Sequence, residues 1–381
     1  MDLSPFSRTL ARMLRWMVAI CFVPAAFGAG LGPFTQVSDV GSVSQPARAE
    51  FESKLGTLTM SAGGENIWGT HDAFGYAWKQ MHGDVALSAR VEFHGAGAQP
   101  HRKAGLMLRA SLAPDSAYAD LVVHGNGLTS LQYRETTGGP THEIQCAQLA
   151  PSALKLEKRG DIMIVSLANA EGIYEKMGCS IRVALKANFY AGLVLCAHDP
   201  AGYETADFKH VTLGIAGDRG DTRISSIEIL DLETLERRMV YHSATPLSAV
   251  SFTKSGDAVC YRDEGVLNRF KLDGSEMPVA VGAENVADCE TAYVPGVTPA
   301  QLPKQARGHP TFPRRSPDGL TIAYLVGALR DDSADFTLLS IAANGGEPRE
   351  LAHFHSGAEA LGSSPWSGDG KRLVFASREA D

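Results

Sequence analysis

In HDAFGYAWKQ (71–80), Phe74, Tyr76 and Trp78 recur at every second position, which sets all three on one face of an extended strand. The same alternation marks LGTLTMSAGG, DVALSARVEF, KAGLMLRAS, IMIVSLAN, FYAGLVLCAH and ADFKHVTL. In YADLVVHGNGLTSLQYRE two such runs meet at His124-Gly125-Asn126-Gly127, a hairpin turn. Strands of this kind, without helical periodicity, hide their apolar faces by packing sheet on sheet. The expected class is all-β, and residues 34–230 read as a sandwich or jelly roll.

The N-terminus has a different character. Arg8, Arg12 and Arg15 precede the apolar run WMVAICFVPAAF and the small residues Gly28, Ala29 and Gly30. That order reads as a signal peptide over residues 1–29, too short and proline-broken for a membrane span, and implies a periplasmic or secreted protein. The chain's net charge of −8 becomes −10 once the +2 of residues 1–29 is set aside. An acidic chain without a basic stripe is a poor binder of nucleic acid or anionic membranes. Beyond Cys21 the cysteines are Cys146, Cys179, Cys196, Cys260 and Cys289. They form no CxxC pair, and in an oxidising compartment one or two disulfides fit, with at least one thiol left over.

The segments GGENIWGTHDAFGYAWKQMHGDVALSARVEF, HRKAGLMLRASLAPDSAYADLVVHGNGLTSLQYRE and FYAGLVLCAHD resemble the concanavalin A-like jelly-roll domain of secreted bacterial proteins. The resemblance covers nearly all of 34–230 and implies a lectin- or glucanase-like fold. That family often has a histidine two residues before its aromatic pair; Gly75 stands at that place here, so a site built on that imidazole does not carry over.

Residues 231–381 carry a different repeat. The turns KSGD (254–257), SPDG (316–319) and SGDG (367–370) each precede an apolar strand. Asp closes such a turn through its side chain and Gly accepts its positive φ, so Asp257, Asp318 and Asp369 read as structural. These hairpins resemble those of the TolB-like β-propeller family. DLETLERRMVYH (231–242) reads as the outer half of a blade and WSGDGKRLVFAS (366–377) as an inner half, so the two ends should join in one composite blade. About three blades are recognisable, fewer than the four to eight of ordinary propellers. The proline-rich interval 284–310 holds no clear blade, so open sheet edges and self-association through them are expected there.

Chemistry is sparse. THEIQC (141–146) lacks the second histidine of a zinc helix, and neither a GxSxG elbow nor a GxxxxGK[ST] loop is present. No metal and no cofactor is implied. What stands out is an aromatic and basic set in the first domain: Trp68, His71, Tyr76, Trp78, Arg102, Lys103, Arg109, His124, Tyr133, Arg134 and His142. Aromatic faces stack on sugar rings and Arg or His donors fix hydroxyls. Among them Arg109, His124 and Arg134 lead as glycan ligands, followed by Trp68, His71, Arg102 and His142. Alternation sets Arg134 on the face opposite Tyr133. The competing reading makes the aromatics core and the charges a solvated face. The expected function is non-enzymatic binding, of a glycan or envelope component by the jelly roll and of protein by the propeller. The alternatives are a polysaccharide hydrolase using a carboxylate pair from Asp120, Glu135 and Glu143, and a scaffold without ligand.

Overall fold

The computed structural model describes residues 30–380 apart from 98, 218–223, 277, 283–285, 290–298, 300–301, 304–307, 328–332 and 358–359. The expected signal peptide and most of the interval 284–310 therefore lie outside the described residues. The described chain is all-β with one four-residue helix.

The first strands are β1 (Gln36–Val40), β2 (Arg48–Glu52), β3 (Thr57–Gly64), β4 (Phe74–His82) and β5 (Val85–Phe93). They are followed by β6 (Lys103–Arg109), β7 (Tyr118–His124), β8 (Thr129–Arg134), β9 (His142–Gln145) and β10 (Leu154–Arg159). Strands β11 (Ile162–Ala168), β12 (Tyr174–Arg182), β13 (Asn188–Cys196) and β14 (Asp199–Ile215) complete this half. One layer runs β1-β4-β13-β6-β7-β8-β9 and the other β12-β11-β10-β5-β14-β3-β2. Between them lies a core to which both layers contribute, including Leu58, Leu87, Leu106, Leu121, Leu131, Val165, Leu193 and Phe208.

The rest of the chain forms β15 (Ser225–Asp231), β16 (Arg237–Ser243), β17 (Leu247–Phe252), β18 (Ala258–Asp263), β19 (Val266–Lys271), β20 (Val279–Ala280) and α1 (Val286–Cys289). Then come β21 (Pro310–Arg315), β22 (Thr321–Val326), β23 (Ser333–Ala342), β24 (Arg349–Gly357) and β25 (Arg372–Arg378). Two meanders, β17-β18-β19-β20 and β21-β22-β23-β24, are separate four-stranded sheets. Strand β25 pairs with β15, and β15 with β16, so strands from the two ends of this half share one sheet. β15 takes this place although it precedes residue 231.

That third sheet is continuous with the sandwich. Residues Arg237 and Arg238 of β16 pair in parallel with Ile144 and Gln145 of β9, making a single ten-stranded sheet. A buried polar knot secures the junction. Arg237 donates to Glu228 (2.8 Å), to the His353 carbonyl (3.0 Å) and to the Tyr133 hydroxyl (3.4 Å), while Ser377 donates to Glu228.

The repeated turns behave as their sequence requires. Gly256, Gly319 and Gly370 have φ of 76°, 73° and 70°. Ser316 donates to Asp318 (2.5 Å) and Ser367 to Asp369 (2.6 Å), and Ser255 does the same to Asp257. These hydroxyl bonds hold all three carboxyls below the usual carboxylate range. Two described residues of 284–310 are tied to neighbouring sheets. Cys289 is disulfide-bonded to Cys260 of β18, and Leu302 packs with Ile322, Tyr324, Val326, Leu339 and Ile341.

Candidate functional site

On β6, β7, β8 and β9, alternate residues point away from the sandwich core. Tyr133 faces inward with Leu131 and Ile144, so Arg134 faces outward. The outward residues of the four strands are aligned by pairing: Met107 opposite Asp120, Asp120 opposite Gln132, and Gln132 opposite Glu143. One register step along, Val122 pairs with Ser130 and Ser130 with Gln145. Lys103 lies opposite His124 at the strand ends.

The loop 65–73 folds over one end of this face. Ile67 packs there with Phe74, Tyr76, Met107, Tyr118, Val122 and Val194, and Trp78 borders the group. Beneath the loop, Asp72 carries two arginines. Arg134 gives it a two-pronged contact at 2.7 and 2.8 Å and also donates to the Gly69 and Ser116 carbonyls at 3.0 Å. Arg109 donates to the Ser111 and Ala113 carbonyls, both at 2.6 Å, and reaches Asp72 at 3.5 Å. Both arginine side chains and that of Asp72 are 0% exposed.

The expected leading ligands Arg109 and Arg134 thus do share a face, but the structure gives them another task. Their guanidinium N–H groups are spent on Asp72 and on loop carbonyls that would otherwise be buried unpaired. Arg102 is likewise enclosed. It pairs with Glu204 at 2.5 Å, donates to the Gly95 carbonyl at 2.8 Å and stacks over Phe93. His142 lies on the inward register with its ring 5.4 Å from that of Tyr133, away from the outer face. His71 is exposed and hydrogen-bonded to its neighbour Thr70. Gly75 points into the sandwich, where a Cβ would lie 2.4 Å from that of Ala62, so no imidazole fits there.

Two expected residues remain at the other end of this face. Trp68 is half-buried with the Lys103 ammonium 5.5 Å from its ring centre, and Lys103 donates to Asn66 Oδ1 and the Ile67 carbonyl. His124 shares Nε2 with the Ser130 hydroxyl at 3.2 Å, and its Nδ1 has no partner. Burial, then the nearby Lys103 charge, depresses its pKa to about 3, so the ring is neutral. The exposed ring of His101 stands edge-on to His124 at 5.9 Å and 5.5 Å from His198, whose Nδ1 is also unpartnered. These three imidazoles form the rim, and Glu236 of the β15–β16 turn comes close to Glu143 and His101.

Below the rim, unpartnered polar atoms concentrate. No hydrogen bond of normal geometry reaches either carboxylate oxygen of Asp120, and Gln132 Oε1 is also unpaired. Asp120 is fully buried, and burial pushes its pKa well up; Lys103 and the Gln132 N–H offset this only in part. Glu143 is better served, accepting from Gln132 Nε2 (2.8 Å) and Gln145 Nε2 (3.0 Å). Among the described residues no group of three His, Cys, Asp or Glu has the geometry to hold a metal ion.

Asp72, Asn66, Gln132, His101 and His198 were not in the expected set. Alternation on β8 could have found Gln132, because it shares a face with Arg134. Nothing local marks Asp72, which meets Arg134 across 62 residues.

No family model matches the chain, and no curated protein does. Solved structures similar to it include a functionally unknown protein from Saccharomyces cerevisiae (11% identity, 48% of this chain and 98% of that one, TM-score 0.39). Another is the carbohydrate-binding module CBM66 from Bacillus subtilis (14% identity, 47% and 96%, TM-score 0.32). A putative TolB from Agrobacterium tumefaciens spans 79% of this chain and 100% of its own (11% identity, TM-score 0.19). Likenesses at these values decide nothing about activity, which has to be read from the chain's own side chains.

Proposed function

We propose that the chain is an exported, non-enzymatic glycan-binding protein that holds its ligand at the outer face of β6–β9. The observation that carries this reading is the row of unpartnered buried acceptors, Asp120, Gln132 and His124, lying under a rim of Trp68, His101 and His198. A buried polar atom without a partner costs about 1–3 kcal/mol, and a hydroxyl-rich ligand recovers that cost. Trp68 supplies the aromatic face on which a sugar ring stacks. His101 is the exposed member of the rim and stands edge-on to His124. Export is supported by the Cys260–Cys289 bond, which suits an oxidising compartment.

The test is a glycan array probed with the full chain, alongside Trp68→Ala and His124→Ala. Retention by the parent chain and loss in both variants, at unchanged melting temperature, supports the reading. Equal retention by all three proteins places the site elsewhere.

Polysaccharide hydrolysis has one observation in its favour: Asp120 and Glu143 share a face, two strands apart. Between them stands Gln132, whose amide is bonded to Glu143. It fills the space a scissile bond would need, which favours binding over cleavage. Release of reducing ends from a polysaccharide, lost in Glu143→Gln, would reverse that preference.

A further inference from the structure

Resting on the glycan reading, we infer a selectivity: the outer face takes neutral saccharides and rejects uronic-acid and other anionic ones. Recognition of a sugar carboxylate calls for an Arg or Lys with N–H groups to spare. Among the described residues, Arg102, Lys103, Arg109 and Arg134 are the cations on or beside this face, and all four are buried and hydrogen-bonded. Arg134 and Arg109 serve Asp72 and the loop carbonyls, and Lys103 is bonded to Asn66 and Ile67. Arg102, 2% exposed, is held by Glu204 and Gly95, and its guanidinium lies against the backbone at Gly97 and Gly125.

The groups that do lack partners are of the opposite kind. Gln132 Oε1 is an acceptor, and a neutral His124 that donates through Nε2 presents an acceptor at Nδ1. Asp120 and Glu143 add two carboxyl groups to the same row. Burial pushes the Asp120 carboxyl well above the usual carboxylate range and keeps His124 neutral, so neither group offers an anion a countercharge. Acceptors are satisfied by sugar hydroxyls, each of which has a proton to give; an ionised uronate has none at its carboxylate.

Calorimetric titration of the full chain with matched oligosaccharides tests this. The probes are neutral cello-, laminari- and fructo-oligosaccharides on one side, and galacturonate and mannuronate oligomers on the other. Uronates are expected to bind at least about tenfold more weakly than the best neutral series. Uronates binding as tightly as neutral sugars would overturn the selectivity and leave the glycan reading standing. Absence of binding in both series would overturn the glycan reading itself.

Discussion

In the first half of the chain one large group of buried side chains, from Phe34 to Phe208, runs between two sheets and takes in Met239 of β16, with one smaller group under the 65–73 loop. In the second half the buried side chains divide into smaller groups: Leu230 and Phe375 with Phe336, Ile227 and Phe252 with Tyr261, and Ile322 with Tyr324. The contrast follows from sheet size. Large layers can face each other directly, whereas three-to-four-stranded sheets each have two faces and must find a neighbour for both. The sandwich therefore rests on its own core. The second half depends on links: β9 pairing with β16, the Arg237–Glu228 pair and the Cys260–Cys289 bond.

The largest expected effect strikes the sandwich at its buried Asp72 charge cluster. Asp72→Ala strips both Arg109 and Arg134 of their carboxylate in a fully enclosed site, a loss of about 3–5 kcal/mol. Chemical denaturation should show it as a lower midpoint. A loss under about 1 kcal/mol would mean the loop can open and solvate the arginines.

The second effect separates the halves. Cys289→Ser frees α1 from β18, across a sequence separation of 29, and should cost about 2–4 kcal/mol. Limited proteolysis should then cut first after residue 246 while the sandwich resists. Cleavage starting within 34–215 would show that the two halves unfold as one.

Acidification gives the third. His124 is neutral when folded, with a pKa of about 3, but takes a proton below about 6.5 when unfolded. The unfolded state then binds more protons, so stability is full above pH 6.5 and falls by up to about 1.4 kcal/mol per unit as pH drops toward 3. Asp120, whose folded pKa is raised, works in the opposite sense, so His124→Gln must be compared with the parent chain. The variant should lose less stability between pH 6.5 and 5; parallel curves would contradict the neutral, buried imidazole.

The smallest effect belongs to Arg182–Asp335, an ion pair between sandwich and second half whose side chains are 45% and 53% exposed. It borders a cavity of about 410 Å³ lined also by Tyr133, Glu135, Phe336 and His353. Arg182→Ala should shift stability by less than about 1 kcal/mol. A larger loss would make this pair a main link between the halves.

Much of this was legible in the chain. Period-two alternation named β4 to β8 and placed Tyr133 and Arg134 on opposite faces, because strand geometry is local. The Ser–Asp–Gly turns and the sharing of one sheet by 231–242 and 366–377 followed from turn chemistry and repeat phase, but not the place of β15 between them. Two things were not legible. Asp72 meets Arg134 only through folding of the 65–73 loop, so the arginines looked like free donors. The register that lines up Asp120, Gln132 and Glu143 also depends on three strands pairing at once, which no single segment encodes.

The central claim is that a saccharide seats on the outer face over His124 and not in the cavity between the halves. Imidazole nitrogen resonances of the 15N-labelled full chain, followed as a neutral oligosaccharide is added, report on both places at once. The account predicts shifts at His101, His124 and His198, with His142, His353 and His355 unmoved. Shifts confined to His142, His353 and His355, or at no histidine despite binding, would contradict it.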